Sequence, residues 1–224
     1  TASVSEAATA DTFTVVLDVE PVGNVAFTVA SADTGEATVS PATLTFTTAN
    51  WNTAQTVTVT GVDDSLADGS INTTVTIAID VANTEDNYDG VSSQAVTVTT
   101  ADNDTAGFTL SKTTASVSEA ATADTFTVVL DAQPDSDVVL TVTSADTGEA
   151  TVSPATLTFT SANWSSVQTV TVTGVDDFII DGSETSVVTI AVNAVSSDDN
   201  FDSVANQTVT VTVADNDTAG FTLS

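Results

Sequence analysis

The chain has 224 residues, of which 31 are acidic and one, Lys112, is basic, so its formal charge is −30. This charge excludes nucleic acid as a partner, because the chain cannot neutralise phosphates, and anionic membrane surfaces would repel it. Histidine and cysteine are absent, which excludes serine–histidine triads, thiolate nucleophiles, zinc fingers and iron–sulfur ligation. The remaining chemistry is that of carboxylates, which bind hard cations or serve in two-carboxylate hydrolases.

The chain consists of two copies of one sequence. The segment TASVSEAATADTFTVVLD at residues 1–18 recurs at residues 114–131, and every other shared segment is shifted by the same 113 residues. A period this long corresponds to a whole domain rather than to one coil of a solenoid. The expected organisation is a first domain at 1–104, a second at 105–217, and the start of strand A of a following repeat at 218–224.

Apolar residues alternate with threonine within each copy, as in QTVTVTGV at 55–62. This period of two, with β-branched residues on both faces, is typical of half-buried strands. Turn-forming clusters separate the runs at the spacing of a sandwich. The sequence therefore predicts an all-β chain of two tandem Ig-like antiparallel sandwiches of about seven strands each. The strands predicted in the first copy are A 1–5, B 11–18, C 24–31, D 42–48, E 55–62, F 71–82 and G 93–101; in the second copy, strand A is expected to start near Phe108.

Acidic residues cluster in the loops at one end of each expected sandwich. Successive antiparallel strands alternate in direction, so the A–B, C–D and E–F loops and the exit of strand G share that end. Two like charges about 4 Å apart repel by about 1 kcal/mol even in water, so such a cluster predicts a bound cation. The candidate metal ligands are Glu6, Asp33, Asp63, Asp64, Asp68, Asp102 and Asp104, and in the second copy Glu119, Asp146, Asp176, Asp177, Asp181, Asp215 and Asp217.

Calcium is the cation that fits these loops best, because it accepts about 6–8 oxygen ligands in flexible geometry. Magnesium requires a tighter octahedron, and soft transition metals lack their preferred ligands. The alternative for each aspartate is a solvated turn, and it applies most to Asp33 and Asp146. Glu36 is interpreted as exposed or as standing behind the ligands. The F–G acids, including Glu85 and Asp198, are interpreted as solvated or as a second cation site.

Three motifs resemble the Calx-beta domain: strand A ending in Val-Ser-Glu, an E–F loop of the form Asp-Asp-x-x-x-acid-Gly, and a terminal Asp-x-Asp. That domain occurs in sodium/calcium exchangers and, in tandem copies, in large secreted bacterial surface proteins. This chain departs from the family at Asp68 and Asp181, where glutamate is common. It departs again at Ile71, where the second copy has the expected acid, Glu184. The ligands that the resemblance implies are Glu6, Asp63, Asp64, Asp68, Asp102 and Asp104 and their copies in the second domain.

The expected function is that of a non-catalytic, calcium-binding extender or stalk in a secreted or cell-surface, adhesin-like bacterial protein. Calcium would stiffen the domain ends and the linker at 102–107. The expected partners are calcium and neighbouring repeats, without membrane insertion, and any cell-surface or glycan ligand would bind through other domains.

The alternative is a calcium-dependent module that binds carbohydrate or protein, in which Trp51 and Trp164 stack on sugar rings rather than plug the sandwich ends. An enzyme is not expected, because a glycosidase needs two carboxylates about 5–9.5 Å apart in a cleft, and no aromatic run accompanies these acids.

Overall fold

The computed structural model describes residues 1–223 and divides the chain into two compact units. Unit one is Thr1–Asp104 and unit two is Thr105–Ser224. Both units are built from strands, with three short 3-10 helices among the described residues. The predicted all-β class is confirmed. No helix in the described part of the chain is long and apolar enough to cross a membrane.

Unit one contains two sheets that face each other across a hydrophobic core. Its strands are β1 (Ala2–Ser5), β2 (Ala10–Val15), β3 (Val25–Ser31), β4 (Ala37–Ser40), β5 (Thr43–Phe46), β6 (Gln55–Gly61), β7 (Ile71–Ile79) and β8 (Gln94–Ala101). One sheet has the order β1-β8-β7-β3-β5 and the other has the order β2-β6-β4. All neighbours pair antiparallel except β1 and β8, which are parallel.

Unit two repeats this arrangement with one additional strand. Its strands are β9 (Phe108–Leu110), β10 (Thr114–Ser118), β11 (Ala123–Leu130), β12 (Val138–Ser144), β13 (Ala150–Ser153), β14 (Thr156–Phe159), β15 (Gln168–Gly174), β16 (Glu184–Val192) and β17 (Gln207–Ala214). The sheet orders are β10-β17-β16-β12-β14 and β13-β15-β11-β9. The extra strand is β9, which pairs antiparallel with the end of β11.

Three features of the strand prediction are corrected. The short strands β4 and β13 were expected to be loops, yet each pairs with the strand that enters the acidic loop, β6 or β15. Strand β1 pairs parallel with β8 in unit one, and β10 pairs parallel with β17 in unit two, so the sandwiches are not purely antiparallel. Strand A of unit two is two strands, because the chain leaves one sheet after Leu110 and joins the other at Thr114.

The core of unit one lies between the two sheets and is formed by the apolar half of the alternating pattern. In β5 the residues Thr-Leu-Thr-Phe alternate between exposed and buried. The rings of Phe27 and Phe46 meet edge to face, with centroids 6.0 Å apart, an arrangement that aromatic pairs favour. Burial of one face fixes the register, since a slip of one residue would expose every core side chain.

The turn after β1 is held against the end of β6 by a close backbone approach. A Cβ atom on Gly61 would lie 2.1 Å from the carbonyl oxygen of Ser5, and Gly174 is placed in the same way against Ser118. Only glycine tolerates this contact. The amide of Gly61 also donates to the Thr9 carbonyl oxygen at 3.0 Å. This contact positions the residue that follows Ser5, the buried Glu6.

The segment after β17 does not continue the repeat in the structure. Residues 218–223 form no strand, and Phe221 and Leu223 are both 88% exposed. The expected start of a following strand A therefore has no strand pairing within residues 218–223, and Ser224 lies outside the described residues.

Candidate metal centre

Glu6 and its copy Glu119 are the most deeply buried acids at the loop end of each unit, each 2% exposed. The backbone amide of Glu6 donates to the Ala101 carbonyl oxygen at 3.1 Å, which ties the first turn to the end of β8. Its Oε2 accepts the amide of Asn103 at 3.1 Å, and the Oε2 of Glu119 accepts that of Asn216 at the same distance. Each glutamate therefore faces the segment that leaves its unit.

The segment that leaves unit one, residues 102–104 with the sequence Asp-Asn-Asp, folds back onto the acidic loops. Asp102 accepts the amide of Asp104 through Oδ1 at 2.6 Å and the amide of Gly69 through Oδ2 at 2.7 Å. The Oδ2 of Asp104 is buried and accepts no hydrogen bond from any of residues 1–223, and the Oδ2 of Asp217 is in the same state. A buried carboxylate oxygen without a donor is costly, so this geometry favours a positively charged partner.

Carboxylate oxygens converge in three groups of three. Within each group, one oxygen from each residue lies within 4.8 Å of the others. Unit one has one such group, in which Glu6 and Asp104 are joined by Asp64 from the loop after β6. Unit two has two groups within its described residues. The groups are Glu6, Asp64 and Asp104; Glu119, Asp215 and Asp217; and Glu149, Asp177 and Asp181.

Glu149 belongs to one of the three groups although the sequence did not predict it as a ligand, and its copy in unit one, Glu36, is buried. Each directly precedes a short strand, β13 or β4, that the sequence did not predict. Glu36 is 8% exposed, and the Oε2 atoms of both glutamates are buried without a hydrogen-bond donor in the described chain. The carbonyl oxygen of Glu36 accepts the amide of Val62 at 2.9 Å. This bond holds the C–D turn beside the acidic loop, so its glutamate faces inward.

Burial and mutual repulsion raise the pKa of three acids at this end of unit one, Glu6, Glu36 and Asp104. Desolvation is the main cause for Glu36, followed by the charges of Asp68 and Asp64. Desolvation also raises the pKa of Glu6 and Asp104, with Asp102 as the strongest repelling neighbour of each. The fold therefore holds acids together under conditions that disfavour their charged forms.

The same electrostatic pattern occurs in unit two. The pKa of Glu149 is raised by desolvation and then by the charge of Asp181, and the pKa of Asp217 is raised by desolvation and then by that of Asp215. The amide of Asn216 lowers the pKa of Glu119, but desolvation and nearby aspartates raise it overall. Asp215 behaves differently, because the amides of Asp217 and Gly182 lower its pKa.

Four further candidate ligands accept hydrogen bonds from backbone or side-chain amides. Asp33 accepts the amide of Gly35 at 2.9 Å and Asp146 accepts that of Gly148 at 2.9 Å, both as turns at exposed positions outside the three groups. The remaining acids, Asp63 and Asp176, accept the side-chain amides of Asn103 and Asn216 at 2.9 and 3.0 Å. Asp68 contributes the strongest repelling charge at Glu36.

The F–G acids at the other end have structural roles. Asp198 is 4% exposed and accepts the amides of Ser136 and Asn200, each at 2.9 Å. It therefore caps a 3-10 helix and anchors the B–C loop. Its counterpart Glu85 accepts the amide of Val22 at 3.1 Å. Neither belongs to a group of metal-ligating side chains in the described chain.

The tryptophans are partly buried. Trp51 packs against the hydrophobic core of unit one. Its carbonyl oxygen accepts the amide of Leu17 at 3.2 Å, and that of Trp164 accepts the amide of Leu130 at 3.3 Å. These contacts favour the interpretation that each tryptophan closes one end of its sandwich.

The clustered residues match the requirements of a hard cation. The side-chain atoms that would bind the ion are all carboxylate oxygens, the ligand type that calcium and magnesium prefer. The unpartnered oxygens of Asp104, Glu149 and Asp217 would each gain a partner from such an ion. The residues come from irregular loops, which suit the variable coordination of calcium better than the strict octahedron of magnesium.

Comparison with known proteins yields structural likeness alone. No protein-family profile and no curated protein sequence matches the chain. Domains 4 and 5 of the S-layer protein SbsC are 21% identical, with a TM-score of 0.39 over 84% of this chain and 70% of that one. The apo-form Calx CBD1 domain is 13% identical, with a TM-score of 0.39 over 51% of this chain and 100% of that one. The calcium binding domain CBD12 of CALX1.1 is 14% identical, with a TM-score of 0.35 over 85% and 76%. At these scores the likeness carries no argument about binding.

Proposed function

We propose that the chain is a pair of non-catalytic calcium-binding β-sandwiches that serve as an extender segment of a secreted or cell-surface protein. The observation that carries this proposal is the buried, unpartnered Oδ2 of Asp104 beside Glu6 and Asp64, which is repeated at Asp217 in unit two. A calcium ion would remove the electrostatic cost of this convergence.

The position of these aspartates explains how calcium would act mechanically. Asp104 is the last residue of unit one, and its group includes Glu6 from the first turn and Asp64 from the loop after β6. A cation bound by these residues would hold the exit of the chain against its own unit. Without the cation, the polar segment 102–107, which contains a glycine, would be a flexible joint.

Calcium concentration favours a role outside the cell. Extracellular calcium-binding modules have dissociation constants as weak as about 10⁻⁴–10⁻³ M, which cytosolic calcium cannot saturate. At a dissociation constant near 10⁻⁵ M and about 1 mM free calcium, linkage adds about 2.7 kcal/mol per site. A chain without cysteine has no disulfide bonds, and calcium would supply comparable stabilisation.

The test is thermal unfolding of the chain in excess EDTA, in calcium and in magnesium. The double variant Asp104→Asn/Asp217→Asn is compared with Asp86→Asn/Asp202→Asn, the same chemical change at exposed residues outside the three groups. We expect calcium to raise the unfolding temperature of the parent and of the control pair by about 10 °C or more, and to have a much smaller effect on the first variant. Coinciding parent curves in EDTA and calcium would overturn the proposal.

Small-angle scattering separates calcium binding from the extender role. We expect calcium to change the radius of gyration of the parent chain. We also expect it to narrow the range of interdomain distances in the ensemble of conformations fitted to the scattering curve. If calcium raises the unfolding temperature but does not narrow the range of interdomain distances, the extender role is contradicted. The calcium-dependent binding module would then be the function that remains.

A further inference from the structure

Three Asp-Gly dipeptides occur in the chain, at residues 68–69, 89–90 and 181–182. Because glycine has no side chain, its backbone nitrogen can approach the carboxyl carbon of the aspartate that precedes it. The first and third pairs lie in the loops after β6 and β15, and the second lies between β7 and β8. The structure places these three chemically equivalent pairs in different surroundings.

In the loops after β6 and β15, a hydrogen bond restrains the glycine nitrogen. The Gly69 amide donates to Oδ2 of Asp102 at 2.7 Å, and the Gly182 amide donates to Oδ2 of Asp215 at 2.9 Å. Hydrogen bonds to a charged acceptor are stronger than those between neutral groups. An attack by either nitrogen on the preceding aspartate would have to break such a bond.

Asp89 and Gly90 lack this restraint. Within residues 1–223, the Gly90 amide has no hydrogen-bond acceptor and the Asp89 carboxylate has no hydrogen-bond donor. Both residues are exposed, and a Cβ on Gly90 would meet nothing within 4 Å. Exposed loops open locally at little cost in free energy, so the Asp89 carboxyl group can rotate onto the Gly90 nitrogen.

The corresponding loop of unit two differs in the residue that supplies the nitrogen. Asp202 has φ and ψ of −57° and −32°, against −56° and −30° for Asp89, and it is also exposed. Ser203 follows Asp202 where Gly90 follows Asp89. The serine side chain crowds the attacking nitrogen, so the same loop geometry favours the reaction in unit one alone.

We propose that Asp89 is a site of spontaneous isomerisation to isoaspartate, and that Asp68 and Asp181 are protected from this reaction in the folded chain. The Gly90 nitrogen attacks Cγ of Asp89 and forms a C–N bond, while the amide hydrogen and the carboxyl OH group leave as water. Water then opens the resulting succinimide ring. Cleavage between the nitrogen and the main-chain carbonyl carbon of Asp89 leaves Gly90 attached through Cγ, with no net change in mass.

Digestion with Glu-C protease separates the three Asp-Gly pairs, because cleavage after glutamate places them in the peptides 37–85, 86–119 and 150–184. Folded chain and chain unfolded in urea are incubated at mildly acidic pH in EDTA, so that the outcome does not depend on calcium. Isoaspartate in each peptide is measured by methyl transfer from S-adenosylmethionine with an isoaspartyl methyltransferase. The peptide mass separates isomerisation from deamidation of asparagine, which changes the mass.

In the folded chain, we expect isoaspartate to form in peptide 86–119 at least about tenfold faster than in the other two peptides. In urea, the three rates should agree within about twofold, because the protection depends on the folded structure. Similar rates for all three peptides in the folded chain would overturn the proposal. Absence of isoaspartate from peptide 86–119 of the folded chain would also overturn it.

Two variants test the role of the glycine. Gly90→Ala places its Cβ in open space and should slow isoaspartate formation in peptide 86–119 by at least about tenfold, because the new side chain crowds the nitrogen. Ser203→Gly creates an Asp-Gly pair in unit two and should introduce isoaspartate into peptide 185–224 at a rate close to that of Asp89. A Gly90→Ala chain that reacts like the parent, or a Ser203→Gly chain that gains no isoaspartate, would refute the assignment.

Discussion

Replacing Glu149 by glutamine should shift thermal stability in opposite directions with and without calcium. Without calcium, the substitution removes one of three carboxylates whose oxygens lie within 4.8 Å of one another. It also removes a buried charged oxygen that has no hydrogen-bond donor in the described chain. With calcium, the same substitution removes a charged ligand from the ion.

The magnitude follows from the geometry of the group. Glu149 forms two close pairs, with Asp177 and Asp181, and each pair of unit charges near this distance repels by about 1 kcal/mol at the dielectric constant of water. Desolvation and then the charge of Asp181 raise the pKa of Glu149, in keeping with this repulsion. We therefore expect a gain of about 1–2 kcal/mol without calcium, or about 4–8 °C per kcal/mol for a domain of this size.

The assay is differential scanning calorimetry of the parent and of Glu149→Gln in excess EDTA and in calcium. The control is Asp202→Asn, the same carboxylate-to-amide change at an exposed residue of unit two. We expect a higher unfolding temperature for Glu149→Gln in EDTA, a lower one in calcium, and little change for the control in either. A shift of the same sign in both conditions would refute a calcium-binding role for Glu149.

Three further predictions follow from the acids and from the glycine contact. In EDTA, the free energy of unfolding measured with urea should fall as pH rises from about 4.5 to 7. Glu6 and Glu36 have raised pKa values in the folded state, so the folded chain binds more protons than the unfolded chain. A rise in the free energy of unfolding over this range in EDTA would contradict these raised pKa values. Calcium added at about pH 5 should release protons, measurable as buffer-dependent heat in calorimetry, since the ligands must be ionised. Gly61→Ala should lower the free energy of unfolding by about 1–3 kcal/mol and weaken calcium binding, because the new Cβ meets the Ser5 carbonyl oxygen. The control Gly90→Ala places its Cβ in open space and should have little effect in the same urea titration.

The strand pattern was predictable because burial of one face imposes a period of two. Strand E was expected at 55–62 and strand G at 93–101, and the structure has them at Gln55–Gly61 and Gln94–Ala101. The short strand Ala37–Ser40 was missed because four residues after a Thr-Gly turn give too short an alternation. The switch of strand A between sheets was missed because both of its halves alternate in the same way.

The acidic end was predictable from chain direction, but the side chains that face inward were not. Glu6 was identified because it follows the first strand. Glu36 was not, since its burial depends on the unpredicted strand β4 beside β6. Asp33 has the sequence of a ligand, yet it bonds the amide of Gly35 in its own turn. Local hydrogen bonds compete with ligation, and sequence alone does not decide between them.

Calorimetric titration of calcium into EDTA-treated, desalted protein tests the central claim most directly. We expect saturable binding of at least one ion per unit, with magnesium unable to compete at equal concentration. The variant Asp104→Asn/Asp217→Asn should bind fewer ions or bind them more weakly, and Asp86→Asn/Asp202→Asn should match the parent. Absence of calcium binding by the folded parent chain would contradict the account.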